Sequence, residues 1–131
     1  MKTSEHLIQG KVYSREDLKT RFGIADATIN TGIFRPKDHN SIWLFVTKNK
    51  TPDRVQYQND LQGNDLFMDS QTAGMKDPVL IEHKLRGLEI LVFYREEKYE
   101  HPNAGFTYEG VFEYAEHKGT HPARFHFRRI G

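Results

Sequence analysis

Ile42-Trp43-Leu44-Phe45-Val46 is an unbroken apolar, β-prone run, which predicts a strand buried on both faces and central to its sheet. Leu88 to Tyr94 predicts a second strong strand. Looser strands are expected near Arg54 to Tyr57 and around Leu66 to Asp69, with Thr51-Pro52-Asp53 and Gln62-Gly63-Asn64 as breaks between them. The final third alternates: Phe106, Tyr108, Gly110, Phe112 and Tyr114 interleave with Thr107, Glu109 and Val111, and Phe125 and Phe127 interleave with Arg124, His126 and Arg128. A period of two predicts strands with one buried and one wet face.

Helices are announced by their caps. Ser14-Arg15-Glu16-Asp17 has the form of a capping box, so a short helix should run to about Phe22 and stop at Gly23. Asp26 reads as a second N-cap, with Ala27 to Thr31 as one turn and Gly32 in the left-handed position that ends it. Pro78 fits the first turn of a third helix, capped by Asp77, carrying Val79, Leu80, Ile81 and Leu85, and ending at Gly87. The first two helices around Gly23 invite a helix-turn-helix reading, but the second is too short and too poor in long polar side chains to read a major groove. The expected fold is α+β, a small curled β-barrel of about five or six strands with short peripheral helices, built as one domain over residues 1–131.

Composition narrows the function. A chain of 131 residues can bury a core unaided, and the absence of cysteine removes disulfides, thiolate zinc sites and cysteine nucleophiles. The first residues hold no apolar signal segment and no run approaches a membrane span, so soluble intracellular residence is the expectation. A formal net charge of +1 gives no global field to draw the chain onto DNA, so a nucleic-acid surface would have to be local. Between Thr28 and Arg54, the basic residues Arg35, Lys37, Lys48, Lys50 and Arg54 face only Asp38 and Asp53, whereas carboxylates cluster at Glu96, Glu97 and Glu100 and at Glu109, Glu113 and Glu116. A solvated surface with no partner explains such fluctuations equally well.

No catalytic motif stands out. The seven histidines form neither a zincin pair nor a nuclease cluster, and there is no Walker loop or nucleophile elbow. Asp77, Glu96 and Lys98 loosely match a metal-dependent nuclease, yet Arg95 to Asn103 reads more naturally as a charged hairpin loop. The aromatic inventory is more informative: nine Phe, six Tyr and one Trp, many beside polar residues. A nucleobase taken out of its stack is held between aromatic walls while a carboxylate or amide reads its edge. Trp43, Tyr57 and Phe67 are candidate walls, and Asp60, Asp69 and Gln71 candidate edge readers. The competing reading makes Trp43, Phe45, Phe67 and Phe93 plain core.

The order GxVYSREDL, ATINTGIF, SIWLFVT, Tyr57-x-x-Asp60, LFMDSQ with Gly74 and Asp77 beyond it, LEILVFYR and FxYEGxF resembles the domain of formerly unknown function attached to superfamily-2 helicases and to HNH or phospholipase-D-like nucleases in type IV, modification-dependent restriction systems. The likeness covers about Gly10 to Arg129. It implies a β-barrel of the SRA, PUA, EVE and YTH type, and a ligand that is double-stranded DNA with a modified cytosine, 5-methylcytosine first. Cutting would belong to a nuclease domain in the same or a partner chain, with dimerisation through that part, in a bacterial cytoplasm. Carried over, Tyr57 and Trp43 become pocket walls, Asp60 and Gln71 edge readers, and Arg35, Lys37, His39 and Arg95 DNA-backbone contacts. Asn30 and Thr31 cap backbone or touch phosphate. Met68 stands where relatives can carry an aromatic residue. The domain itself is then no enzyme and needs no metal or cofactor. A reader of RNA of the PUA/EVE type, the small nuclease above, or a docking module are the alternatives.

Overall fold

The two apolar runs pair with each other, in parallel, at the centre of the molecule. The computed structural model describes residues 2–25, 29, 32–49, 59–69, 77–119 and 123–131. In chain order, a 3-10 turn at Thr3–His6 precedes β1 (Val12–Tyr13), α1 (Arg15–Phe22), β2 (Ile33–Phe34), β3 (Ser41–Asn49), β4 (Asp60–Gln62), β5 (Asp65–Asp69), α2 (Asp77–Ile81), β6 (Glu89–Glu97), β7 (Phe106–Lys118) and β8 (Arg124–Arg129). Strands β3 and β6 run in register from Ser41 opposite Glu89 to Asn49 opposite Glu97. Their side chains alternate between two cores. Ile42, Leu44, Val46, Ile90, Val92 and Tyr94 join Leu66 and Met68 of β5, Phe125 and Phe127 of β8, and Val79 and Leu80 of α2. On the other face, Trp43, Phe45, Leu91 and Phe93 meet Tyr13, Leu18, Ile29, Phe34, Phe106 and Tyr108. Apolar residues of both parities are buried because both faces are covered.

The strand order is β2-β3-β6-β7-β8-β5-β4, with β1 paired to β7 beside this path. The sheet therefore has eight strands and is not a closed barrel, against the expected five or six strands closing on themselves. The count differs because β1, β2 and β4 hold only two or three residues each, too few for a periodic signal. Strand β7 is the backbone of the curl: β6 lies along Thr107–Phe112 on one side, and on the other β1 gives way to β8 along Phe112–Lys118.

A bulge in β7 changes which face is buried. Phe93 pairs with Tyr108 while Val92 pairs with Gly110, so Glu109 is an extra residue and Gly110 takes a φ of 101°. Tyr108 consequently faces the second core, whereas Phe112, of the same parity, faces the first. Arg129 fixes the bulge, its Nε donating to the Glu109 carbonyl at 2.8 Å and its Nη2 to the Glu109 carboxylate at 2.8 Å. Nη1 of the same arginine reaches Gly63 O and Asn64 Oδ1 of the β4–β5 turn. Burial pushes the Glu109 carboxyl up, against the opposing pull of Arg129.

The first helix forms as its cap predicts. Asp17 N–H donates to Ser14 Oγ at 3.0 Å, Ser14 N–H donates to Asp17 Oδ2 at 2.9 Å, and Gly23 closes the helix at φ 63°. Helix α2 is shorter than expected. It ends at Ile81 with Asp77 inside it, and Leu85 is 90% exposed in the turn that follows. His83 organises that turn. Tyr114 N–H donates to His83 Nε2 at 3.1 Å, which leaves Nδ1 to carry the proton and donate to Leu88 O at 2.9 Å. The expected helical turn at Ala27 to Thr31 and the strand at Arg54 to Tyr57 fall mainly outside the described residues. Among the described residues no helix is long and apolar enough to cross a membrane.

Candidate functional site at the ends of the parallel strands

Strands β3 and β6 end side by side, with Thr47 opposite Arg95. Alternation sends Lys48, Tyr94 and Glu96 toward the first core and Thr47 and Arg95 toward the second. Asn59 ties the neighbouring strands to this end: its Nδ2 donates to Thr47 O at 3.2 Å, and its Oδ1 accepts from Asp69 N–H at 3.3 Å. Strands β4 and β5 turn through Gly63-Asn64, with a positive φ at Gly63 alone as in a type II′ hairpin, which puts Asp60 opposite Phe67.

On the first side, Lys48 Nζ lies 3.7 Å from Asp60 and 3.8 Å from Glu96. The basic stretch and the acidic hairpin, separate in sequence, thus neutralise each other here. Beneath them, Tyr94 is 6% exposed and its buried hydroxyl closes no hydrogen bond. The Leu61 backbone is near enough to favour the phenolate but is not in hydrogen-bonding geometry. Burial first, then the charges of Glu96, Asp60 and Glu100, push the phenol up to about 12, so it remains a donor with a proton to give.

The outer face of β5 and β8 is filled by its own pairs. Phe67 stacks on His126 at 4.6 Å, His126 Nε2 sits 2.8 Å from Asp65, Arg128 lies 3.6 Å from Asp65, and Arg124 lies 3.4 Å from Asp69. The hydrogen bond from His126 holds the Asp65 carboxyl below the usual carboxylate range. Acids and bases alternate strand by strand across this face.

On the second side, Arg95 is 7% exposed. Its Nε donates to Thr47 Oγ1 at 2.9 Å, and its Nη1 to Ala104 O at 2.7 Å and Lys98 O at 3.2 Å. It thereby fastens the β6–β7 hairpin, where Asn103 and Ala104 hold φ values of 59° and 55°. The guanidinium lies over Phe106 at 3.9 Å, and that of Arg15 lies over the same ring at 5.0 Å.

The sequence-predicted residues divide accordingly. Asp60, Phe67, Asp69 and Arg95 gather around this end. Trp43 does not: it is 0% exposed, packed by Phe22, Phe34 and Phe93, and its Nε1 donates to Thr3 Oγ1 at 2.9 Å. Arg35, Lys37 and His39 lie on the loop that enters β3, at the opposite end of that strand from Thr47. Arg35 and Lys37 are exposed, Asp38 has φ 65°, and His39 packs edge-on to Phe22 with Nδ1 buried and without a partner. Met68 belongs to the first core. Asn30, Thr31, Tyr57 and Gln71 lie outside the described residues. The nuclease set is dispersed: Glu96 binds Lys48, Lys98 lies over Tyr99, and Asp77 opens α2. Among the described residues no three metal-ligating side chains gather at one point.

Tyr94 and Arg15 are the residues that sequence reasoning missed. Tyr94 closes an apolar run and reads as core, although a phenol at the end of such a run, followed by charged residues, is a signal in itself. Arg15 is hidden inside a helix-cap motif. Comparison with known proteins assigns no family: no protein-family model matches the chain, and no curated protein matches it.

Proposed function

We propose that this chain is a non-catalytic reader of modified cytosine in duplex DNA, 5-methylcytosine first, which takes the base out of the stack and holds it where β3 and β6 end. The supporting observation is the pairing of a buried, unpartnered donor with a carboxylate: Tyr94 Oη lies within electrostatic reach of Asp60. Cytosine offers an exocyclic amine to an acceptor and ring acceptors to a donor, which suits Asp60 and Tyr94 respectively. A thymine would set its O4 acceptor against the carboxylate. Phe67 supplies an aromatic surface near Asp60, and Tyr57 remains the proposed second wall. Extracting the base costs a few kcal/mol, which these bonds and burial of the methyl group offset. On this reading the curled mixed sheet serves as a scaffold of the SRA, PUA, EVE or YTH type, and a nuclease in the same or a partner chain does the cutting in the bacterial cytoplasm.

The test is a fluorescence-anisotropy titration against duplexes identical except for 5-methylcytosine. Tighter binding of the methylated duplex is expected, with the preference lost in Asp60→Asn and in Tyr57→Ala. Equal binding of both duplexes rejects the modified-base reading, stronger binding of a matched RNA moves it to RNA, and magnesium-dependent cleavage by the pure chain overturns the non-catalytic role.

A further inference from the structure

We infer that Arg15 and Arg95, brought together over the Phe106 ring, form an oxyanion site that takes a backbone phosphate of the bound nucleic acid; the choice of a nucleic-acid phosphate rests on the reading above. Arg95 carries the argument. Its three hydrogen bonds go to neutral oxygens, which satisfy donors but not the charge. Among the described residues no carboxylate lies within ion-pair distance of Arg95, which is 7% exposed. A cation so deeply buried ordinarily has a counter-charge.

The surroundings sharpen the point. A second guanidinium, Arg15, lies 5.0 Å from the Phe106 ring and 4.5 Å from Phe45, and its Nε donates to Ile29 O at 2.9 Å. Burial lowers its pKa to about 10, and the positive charge of Arg95 contributes to that fall. Stacking on the rings offsets part of the cost of holding two like charges together. An oxyanion supplies the counter-charge that Arg95 lacks among the described residues, and the planar guanidinium fork matches phosphate oxygens. Thr47 Oγ1 already accepts from Arg95, so its own proton is free for the same ligand. Because Tyr94 and Arg95 are consecutive in a strand, they address opposite faces of its end. A nucleotide hooked over that end places its base toward Tyr94 and its phosphate toward Arg95.

Thermal unfolding of the whole chain in inorganic phosphate, against chloride at matched ionic strength, tests the site without DNA. Phosphate is expected to raise the wild-type midpoint by about 4 °C, and Arg15→Gln is expected to lose that rise while keeping a polar group near Ile29. An equal rise in both proteins is a general salt effect and overturns the site. With an unmodified duplex, Arg15→Gln should lower the slope of log K against log salt by about 0.9, one phosphate contact; an unchanged slope overturns the backbone-phosphate assignment. If wild type shows both effects but no preference for methylated duplex, the oxyanion site stands and the modified-base reading falls.

Discussion

Replacing Thr3 with valine removes one hydroxyl from the centre of a buried chain of hydrogen bonds while preserving its shape. Trp43 Nε1 donates to Thr3 Oγ1 at 2.9 Å, Thr3 Oγ1 donates to Ser41 Oγ at 2.8 Å, and Ser41 Oγ donates to Glu89 Oε2 at 2.6 Å. In the variant the indole N–H keeps no acceptor at a position with 0% exposure, at a cost of about 1–3 kcal/mol. Ser41 Oγ still accepts from Thr3 N–H at 3.1 Å, so the damage stays near one unsatisfied donor, and about 2 kcal/mol is expected. A domain of this size holds about 5–15 kcal/mol, so the variant folds. Trp43 is the sole tryptophan, and urea unfolding followed by its emission should show a midpoint lowered by about 1 M. A loss under about 0.5 kcal/mol refutes the buried, satisfied indole. The same fluorophore tests function: with Trp43 in the core, methylated duplex leaves its emission unchanged, and strong quenching would restore it as a pocket wall.

Three further outcomes follow from other sites. Burial lowers the His83 pKa from 6.5, against the hydrogen bond to Leu88; the unfolded chain therefore takes the proton first, and stability, complete above about pH 6.5, falls as pH drops toward the depressed folded value. Urea midpoints across that window should slope in wild type and flatten in His83→Asn. Gly110→Ala places a Cβ 2.7 Å from Gly131 O and 3.0 Å from Gln9 Oε1 at a φ of +101°, so a loss of roughly 2 kcal/mol is expected by thermal unfolding. Tyr94→Phe removes a hydroxyl with no partner, so stability should hold or rise, while preference for methylated duplex drops about tenfold; a marked loss of stability instead would show that the hydroxyl is already bonded.

What the sequence discloses is local, and what it conceals depends on contacts far along the chain. The β3 and β6 runs, the Ser14 capping box and the Gly63 turn are each decided by a few neighbouring residues, and each is where the sequence puts it. The parallel pairing of β3 with β6 joins residues 48 apart, such as Arg95 and Thr47, and no local pattern specifies it. The extra Glu109 in β7 is invisible to a period-two reading because the bulge exists only opposite Val92 and Phe93. His83 fixes the turn after α2 through Leu88, just before β6, and Tyr114 on β7, overriding the helical spacing of Leu85. At the site, Asp60 and Asp69 are legible as polar positions flanking a hairpin. Trp43 misleads, because the partner for its indole is Thr3, forty residues away.

The end of the parallel pair is where chemistry can collect, for a topological reason. Antiparallel neighbours end at opposite rims, but β3 and β6 run in the same direction and exhaust their apolar residues together, at Val46 and Tyr94. The residues that follow, Thr47 and Lys48 beside Arg95 and Glu96, are polar and stand on both faces of one rim. Parallel strands of open α/β sheets bind ligands at their carboxyl ends for the same reason. A net charge of +1, with Lys48 held between two carboxylates, supplies little nonspecific attraction to DNA, so on the proposed reading affinity has to come from groups built into this rim. Tyr94 brings a buried hydroxyl without a partner there, and Arg95 a buried charge whose hydrogen bonds all go to neutral oxygens, on opposite faces of consecutive residues. Binding that depends on both should therefore show a base preference that fails with Tyr94 and a salt dependence that fails with Arg15, each independent of the other.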